Sequence, residues 1–305
     1  MTSRFSLFRF LSLGLILMLL PALSGQLRSS ACITQEPLPS VPVSSASSLS
    51  LSHDDPVHLL LIGKDSREGQ VGARSDAIIL CSFQKDSDRV TMTSVLRDLY
   101  VPIPGCRDNR INAAYALGGA SLLCKTLESF LDLKIDGWIE MDFSQFSGII
   151  NTLGGVSIQL RRDEADLINR KTGGCLSEGL QHLTGEEALT YARIRSLDPD
   201  GDLSRTARQR KLVSAVLSSW KSADLSSTLS LIGDSMDMIS TDMSKTSLMR
   251  NALELFPLLS HGKILTWRIP EDGDFQYKTI AGMSVVAADL DKIRQRFYEQ
   301  LSSDE

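Results

Sequence analysis

Residues 57–63 read VHLLLIG, an apolar run of strand length that ends on a glycine. Alternate side chains of a strand point to opposite faces, so a short run apolar at successive positions suits a strand buried on both sides. Two similar runs follow, DAIILCSF at 76–83 and RVTMTSVL at 89–96, with turn residues Asp86, Ser87 and Asp88 between them. Further on, Ala116, Ala120, Leu123, Leu127 and Phe130 step by four and three, which places them on one face of a helix over 112–131. Residues 137–143 read as a strand. Ser144 is the expected N-cap of a helix that stops at Gly154-Gly155, before a strand at 156–160. Helices are predicted at 185–192, 204–220, 226–239, 245–259 and 286–301, with a strand at 263–269. This alternation predicts a single α/β domain, a central mixed β-sheet flanked by helices.

The chain has 305 residues, 42% of them hydrophobic and 23% charged, which fits a globular domain preceded by an N-terminal element. Arg4 and Arg9 come before an uncharged, largely apolar stretch from Phe10 to Leu27, short but sufficient for a membrane segment with the N-terminus in the cytoplasm. Residues 1–27 are therefore a signal-anchor or a cleaved signal, and both remain open at this point. Residues 28–56 hold nine serines and four prolines and read as a flexible linker. The expected catalytic core spans 57–222, and 223–305 completes the same domain. Its expected place is outside the cytoplasmic membrane, tethered by a single pass.

A net charge of −5 argues against nucleic acid as a partner. The five cysteines form no CxxC or Cys/His cluster, and the four histidines are scattered, so zinc sites and Ser-His or Cys-His hydrolases are disfavoured. There is no GxxxxGK[ST] and no strand-linked GxGxxG for a nucleotide.

Chemistry gathers where the apolar strands end. Asp65 and Arg67 follow Gly63, and Arg74 and Asp76 open the next strand. If those strands are neighbours, two carboxylates with arginines beside them suit a magnesium ion bridging to phosphate. Arg97 stands where the third strand leaves the core, and Arg110 follows. The densest cluster is 193–211, with six basic residues against three acids. Arg193 and Arg195 fall on one side of an extended backbone. Arg205 and Gln209 share a helix face that Ser204 would cap, while Arg210 is turned about 140° from Arg205. Asp202 stands just before them. Guanidinium forks bind phosphate through paired hydrogen bonds, so an arginine-rich set suits a pyrophosphate.

The segments LLLIGKDSR (59–67), RSDAIIL (74–80), SVLRDLYVPIPG (94–105), RINAAYALGG (110–119), TLGGVSIQL (152–160), GLQHLTGEEALTYARIR (179–195) and DLSRTARQRKLV (202–213) together resemble the LytR-CpsA-Psr family of cell-envelope proteins. Order and spacing agree over 57–222, and 223–301 match loosely. The resemblance implies an apolar groove for a polyprenyl chain beside an arginine-lined head-group pocket. It implies transfer of a glycopolymer, a teichoic acid or a capsular or secondary wall polysaccharide, from undecaprenyl pyrophosphate to a peptidoglycan hydroxyl. Asp65 and Asp76 match the family's metal-side carboxylates, for Mg2+. Arg74, Arg97, Arg193, Arg195, Arg205 and Gln209 match its pyrophosphate contacts, and Asp202 a further acid of the pocket. Arg110 stands where lysine is commoner, and Leu96 where proline is frequent. Asp65 and Asp202 are both open as the group that takes the acceptor's proton. Three rival functions remain: a non-catalytic polyprenyl-phosphate binder, a polyprenyl pyrophosphatase and a membrane-tethered transcription regulator.

Overall fold

The computed structural model of the chain describes residues 56–64, 75–198, 202–219, 233 and 238–302. The N-terminal apolar segment, nearly all of the linker, Asp65, Arg67 and Arg74 lie outside these residues, as does most of the helix expected at 226–239.

The three apolar runs form β1 (Val57–Lys64), β2 (Ser75–Gln84) and β3 (Arg89–Val95), antiparallel in sequence order. The turn between β2 and β3 closes with the Asp88 N–H donating to the Lys85 carbonyl at 3.3 Å. β6 (Gly137–Asp142) adds parallel to β1, and β10 (Lys263–Ile269) parallel to β3. With the short β9 (Ser240–Thr241) they make a six-stranded mixed sheet ordered β10-β3-β2-β1-β6-β9. Both faces are covered, which explains the unbroken apolar runs. Leu60, Ile62, Ile78 and Leu80 pack on one side against α1 (Ile111–Leu131) and α7 (Leu290–Ser302). Leu59, Ile79, Cys81 and Phe83 face the other side, beneath α5 (Asp202–Ser219) and α6 (Lys245–His261).

A third apolar cluster joins α2 (Phe143–Thr152), α3 (Arg162–Thr172) and α4 (Gly185–Ala192) to a hairpin of β7 (Val156–Leu160) and β8 (Gly179–Leu183). The strand expected at 156–160 thus exists, but it pairs with β8 and stands apart from the central sheet. Two minor hairpins complete the fold, β4 (Tyr100–Val101) with β5 (Asn109–Arg110) and β11 (Phe275–Ile280) with β12 (Met283–Ala288).

Several boundaries differ from expectation. Asp142, not Ser144, caps α2: its carboxylate accepts from the N–H groups of Ser144 and Gln145, each at 2.9 Å. An ionised cap suits the positive end of the helix better than a hydroxyl. α5 starts at Asp202, so Ser204 lies inside its first turn rather than capping it. The last helix starts at Leu290 because residues 286–288 belong to β12. The helix over 112–131 breaks at Gly118-Gly119, where Gly119 takes φ 64° and ψ −161°, a conformation other residues avoid.

Strand pairing decides where function can gather. Lys64 pairs with Ser75 on one side and Asp142 on the other, Ile79 with Ser94, and Val95 with Ile269. The carboxyl ends of β1, β3, β6 and β10 therefore share one sheet edge with the amino end of β2.

Candidate functional site

Asp76 sits at that edge, one residue into β2, and Arg97 two residues past β3. Arg97 Nη1 donates to the Asp76 carboxylate at 2.6 Å, and its Nη2 lies 3.1 Å from the Asp202 carboxylate. Arg205 reaches down from the first turns of α5 and bridges the same two acids. Its Nη2 is 3.0 Å from Asp202 and its Nη1 3.6 Å from Asp76, while Nη2 also donates to the Asp76 carbonyl at 3.3 Å. Arg195 approaches both carboxylates at 3.9 Å and is 48% exposed, whereas Arg205 is only 3% exposed. Asp98 extends the network, 3.5 Å from Arg97 and 3.0 Å from Arg110. Four guanidiniums thus share three carboxylates.

Burial pushes the Asp202 carboxyl above the usual aspartate range, with Asp98 and Asp76 adding to it and Arg97 and Arg195 opposing. Such a carboxylate is a stronger base than a solvated one.

Beside the cluster lies an apolar cavity of about 310 Å³ between the sheet and helices α2, α5 and α6. Its walls include Leu61, Ile79, Phe143, Phe146, Val213 and Leu255, and its few polar members include Asp142, Gln209 and Asn251. Cavity and cluster adjoin through chain neighbours. Ala77 of the wall follows Asp76, and Gln209 is one helical turn beyond Arg205. Gly63 keeps this junction narrow, since a Cβ there would come 3.0 Å from the Ala77 Cβ.

Among the sequence-predicted site residues, Asp76, Arg97, Asp202, Arg195 and Arg205 meet directly, and Arg110 joins through Asp98. Gln209 lines the cavity instead of the ion-pair network. Arg193 and Arg195 do not share one side of an extended segment. Arg193 is helical (φ −97°, ψ −1°) as the C-cap of α4, and its guanidinium stacks 3.8 Å over the Phe143 ring at the cavity wall. The intervening Ile194 is buried with the α4 cluster, and its N–H donates to the Tyr191 carbonyl at 3.2 Å, which keeps the backbone turned there. Asp65, Arg67 and Arg74 lie outside the described residues, though the paired ends Lys64 and Ser75 bring the two strand termini together beside Asp76.

Arg208 belongs elsewhere. It is 5% exposed, lies 2.8 Å from Glu164 and also pairs with Asp198, bracing α5 against α3. The sequence marks Asp98 only as the polar neighbour of Arg97, and gives it no role between Arg97 and Arg110. It gives none to Phe143 either, which no local pattern ties to Arg193.

The profile of the LytR_cpsA_psr family matches residues 26–300. The polyisoprenyl-teichoic acid–peptidoglycan teichoic acid transferase TagT of Bacillus subtilis is 35% identical over 213 residues, 68% of this chain and 65% of that protein. The chain thus spans just under two thirds of that curated relative. Among solved structures, TagT bound to LIIa-WTA matches with a TM-score of 0.67 at 29% identity, covering 82% of this chain and 92% of that one. TagT with bound octaprenyl pyrophosphate lipid matches with a TM-score of 0.62 at 27% identity, covering 82% and 91%. With a match across almost its whole length, an α/β fold shared with these structures and the expected charged cluster beside an apolar cavity, the chain belongs to the LytR_cpsA_psr family.

Proposed function

We propose that the protein is a phosphotransferase that moves a glycopolymer from a polyprenyl pyrophosphate carrier to a peptidoglycan hydroxyl, outside the cytoplasmic membrane. The observation that carries this reading is the adjacency of a 310 Å³ apolar cavity and an arginine–aspartate cluster, joined at Ala77 and Gln209. A ligand with a long apolar tail and a pyrophosphate head matches both halves. TagT, a family member, is named for transfer of teichoic acid to peptidoglycan and has been solved with octaprenyl pyrophosphate. A teichoic acid is accordingly the favoured polymer.

Phosphoryl transfer needs position and charge neutralisation more than covalent help. Asp76 and Asp202 hold Arg97 and Arg205 at one spot, so the guanidiniums are oriented before the head group arrives. Arg195, half exposed, and Arg193, over the Phe143 ring, would close on the pyrophosphate from the solvent side. Together they would stabilise the departing polyprenyl phosphate while the acceptor oxygen attacks the phosphorus that bears the glycan. Asp202, made more basic by burial, is the proposed proton acceptor.

Magnesium is part of this proposal, as a hard cation that takes one or two carboxylates and completes its shell with phosphate oxygens and water. Asp76, with Asp65, would hold it, and the ion when bound would neutralise phosphate charge. The N-terminal apolar run would anchor the chain and place this domain at the outer membrane face, where carrier and wall meet.

The test is mass spectrometry after incubation of the full chain in detergent with a lipid-linked polymer and peptidoglycan fragments. Transfer predicts polymer joined to the fragment by a phosphodiester. Free polymer phosphate alone would mean a pyrophosphatase, and unaltered donor a lipid-binding protein.

A further inference from the structure

Two guanidiniums near this edge share no carboxylate with the Asp76 cluster. Arg210 stands five residues after Arg205 on α5, about 140° around the helix and about 7.5 Å along it. Arg268 is the penultimate residue of β10. Its register partner on β3 is Ser94, which in turn faces Ile79 on β2, so these residues share the sheet face that α5 covers.

The ion pairs of α5 involve Asp202, Arg205 and Arg208, and none among the described residues reaches Arg210. Arg210 Nη1, Arg268 Nη1 and Ser94 Oγ are each buried without a hydrogen-bond acceptor. Arg268 does contact Asp272 through Nη2 at 2.6 Å, but that carboxylate is 85% exposed and its field is largely screened. Burial, with Arg268 close by, pulls the Arg210 pKa down to about 10. Like charges placed together with donors unsatisfied destabilise a fold unless an anion compensates them.

We infer that Arg210, Arg268 and Ser94 form a second oxyanion site, one that takes a phosphodiester group of the polymer being transferred. A phosphate's tetrahedral oxygens suit two guanidinium forks and a hydroxyl. The offset along α5 is short enough for one flexible anionic chain to reach both this site and the pyrophosphate cluster. Only the source of the phosphate rests on the transferase reading; binding of an oxyanion does not.

The experiment uses the full chain in detergent with Arg210→Gln, Arg268→Gln and the double substitution. In thermal melts, inorganic phosphate should raise the wild-type Tm beyond chloride at equal ionic strength. The double variant should lose at least half of that specific rise while melting no lower than wild type without phosphate. In turnover, kcat/KM for a donor bearing a phosphodiester polymer should fall about 10-fold relative to a donor bearing a neutral glycan, whose rate stays unchanged. An unaltered phosphate response in the double variant overturns the site. A double variant that melts well below wild type without phosphate overturns it too, as would an equal loss on both donors, because either marks the arginines as structural. If wild type turns over neither donor, the transferase reading fails while the phosphate melts still decide the site.

Discussion

Replacing Arg205 with alanine removes the most buried cation of the cluster. Its guanidinium is 3% exposed and contacts Asp202 at 3.0 Å and the Asp76 carbonyl at 3.3 Å, with the Asp76 carboxylate at 3.6 Å. Removing one partner of an isolated buried pair costs about 3–5 kcal/mol, because the other charge is stranded. Here neither carboxylate is stranded: Arg97 stays on Asp76 at 2.6 Å and on Asp202 at 3.1 Å. The expected destabilisation is therefore smaller, about 2 kcal/mol, or roughly 4–8 °C in Tm for a domain of this size. The effect on turnover should be larger than that stability loss suggests. A charge-assisted contact kept in the transition state is worth about 1.5–3 kcal/mol, or roughly 10- to 150-fold in rate. Arg205→Lys should recover part of it, since an ammonium reaches one carboxylate but not two in a fixed plane. The assay is release of polyprenyl phosphate from a lipid-linked donor, with melts run in parallel. Arg162→Ala, on the exposed side of α3, is the charge control. A folded Arg205→Ala protein with a near wild-type rate would refute the placement of the pyrophosphate.

Four further outcomes are expected. Arg208→Ala should cost about 2 kcal/mol in denaturant melts, because Glu164 loses its buried guanidinium partner but keeps the Arg161 N–H at 3.0 Å, yet leave turnover per folded molecule little changed; a specific loss of turnover would move Arg208 into the site. Val213→Phe should narrow the cavity and raise KM for long-chain carriers more than for short-chain ones, and an equal effect on both would remove the cavity from lipid binding. Asp76→Asn should abolish magnesium-dependent turnover, and full wild-type activity in chelator would sink the metal role. Burial depresses the pKa of His58, against the pull of Asp136, so the unfolded chain binds the proton more readily. Stability should be complete above about pH 6.5, decline as pH falls through 6.5 toward the lower folded value, and then level off. His58→Gln should flatten that part of a pH–melting profile, and an unchanged slope would assign it to other groups.

In the central sheet β1 and β2 were readable because both faces of each are covered and each carries an apolar run, whereas β9, only Ser240–Thr241, gave no signal. Less regular elements were harder. β8 and α3 carry mixed polar faces, and β12 merges by composition into the helix that follows it. The break at Gly118-Gly119 was masked by apolar residues that keep helical spacing on either side. Charge density singled out the segment 193–211 but not each residue's place in it. Arg193, Arg205 and Arg208 look alike in sequence, yet one stacks on a cavity ring, one bridges two acids and one braces α3. Position on the α5 helix separates the last two, because residues three apart face neighbouring but different partners. Arg210 illustrates the same limit: its angle from Arg205 was predictable, but its burial beside Arg268 depends on a strand more than fifty residues later.

The most direct test of the account follows the bond that forms. The full chain would be given a polyprenyl-pyrophosphate-linked polymer labelled at its proximal phosphorus, together with peptidoglycan fragments. Label recovered in a phosphodiester between polymer and a fragment's sugar hydroxyl, with polyprenyl monophosphate released in equal amount, is the predicted result. Label found only in free polymer phosphate, or left on the carrier while the lipid stays bound, would contradict the claim that this protein joins the two.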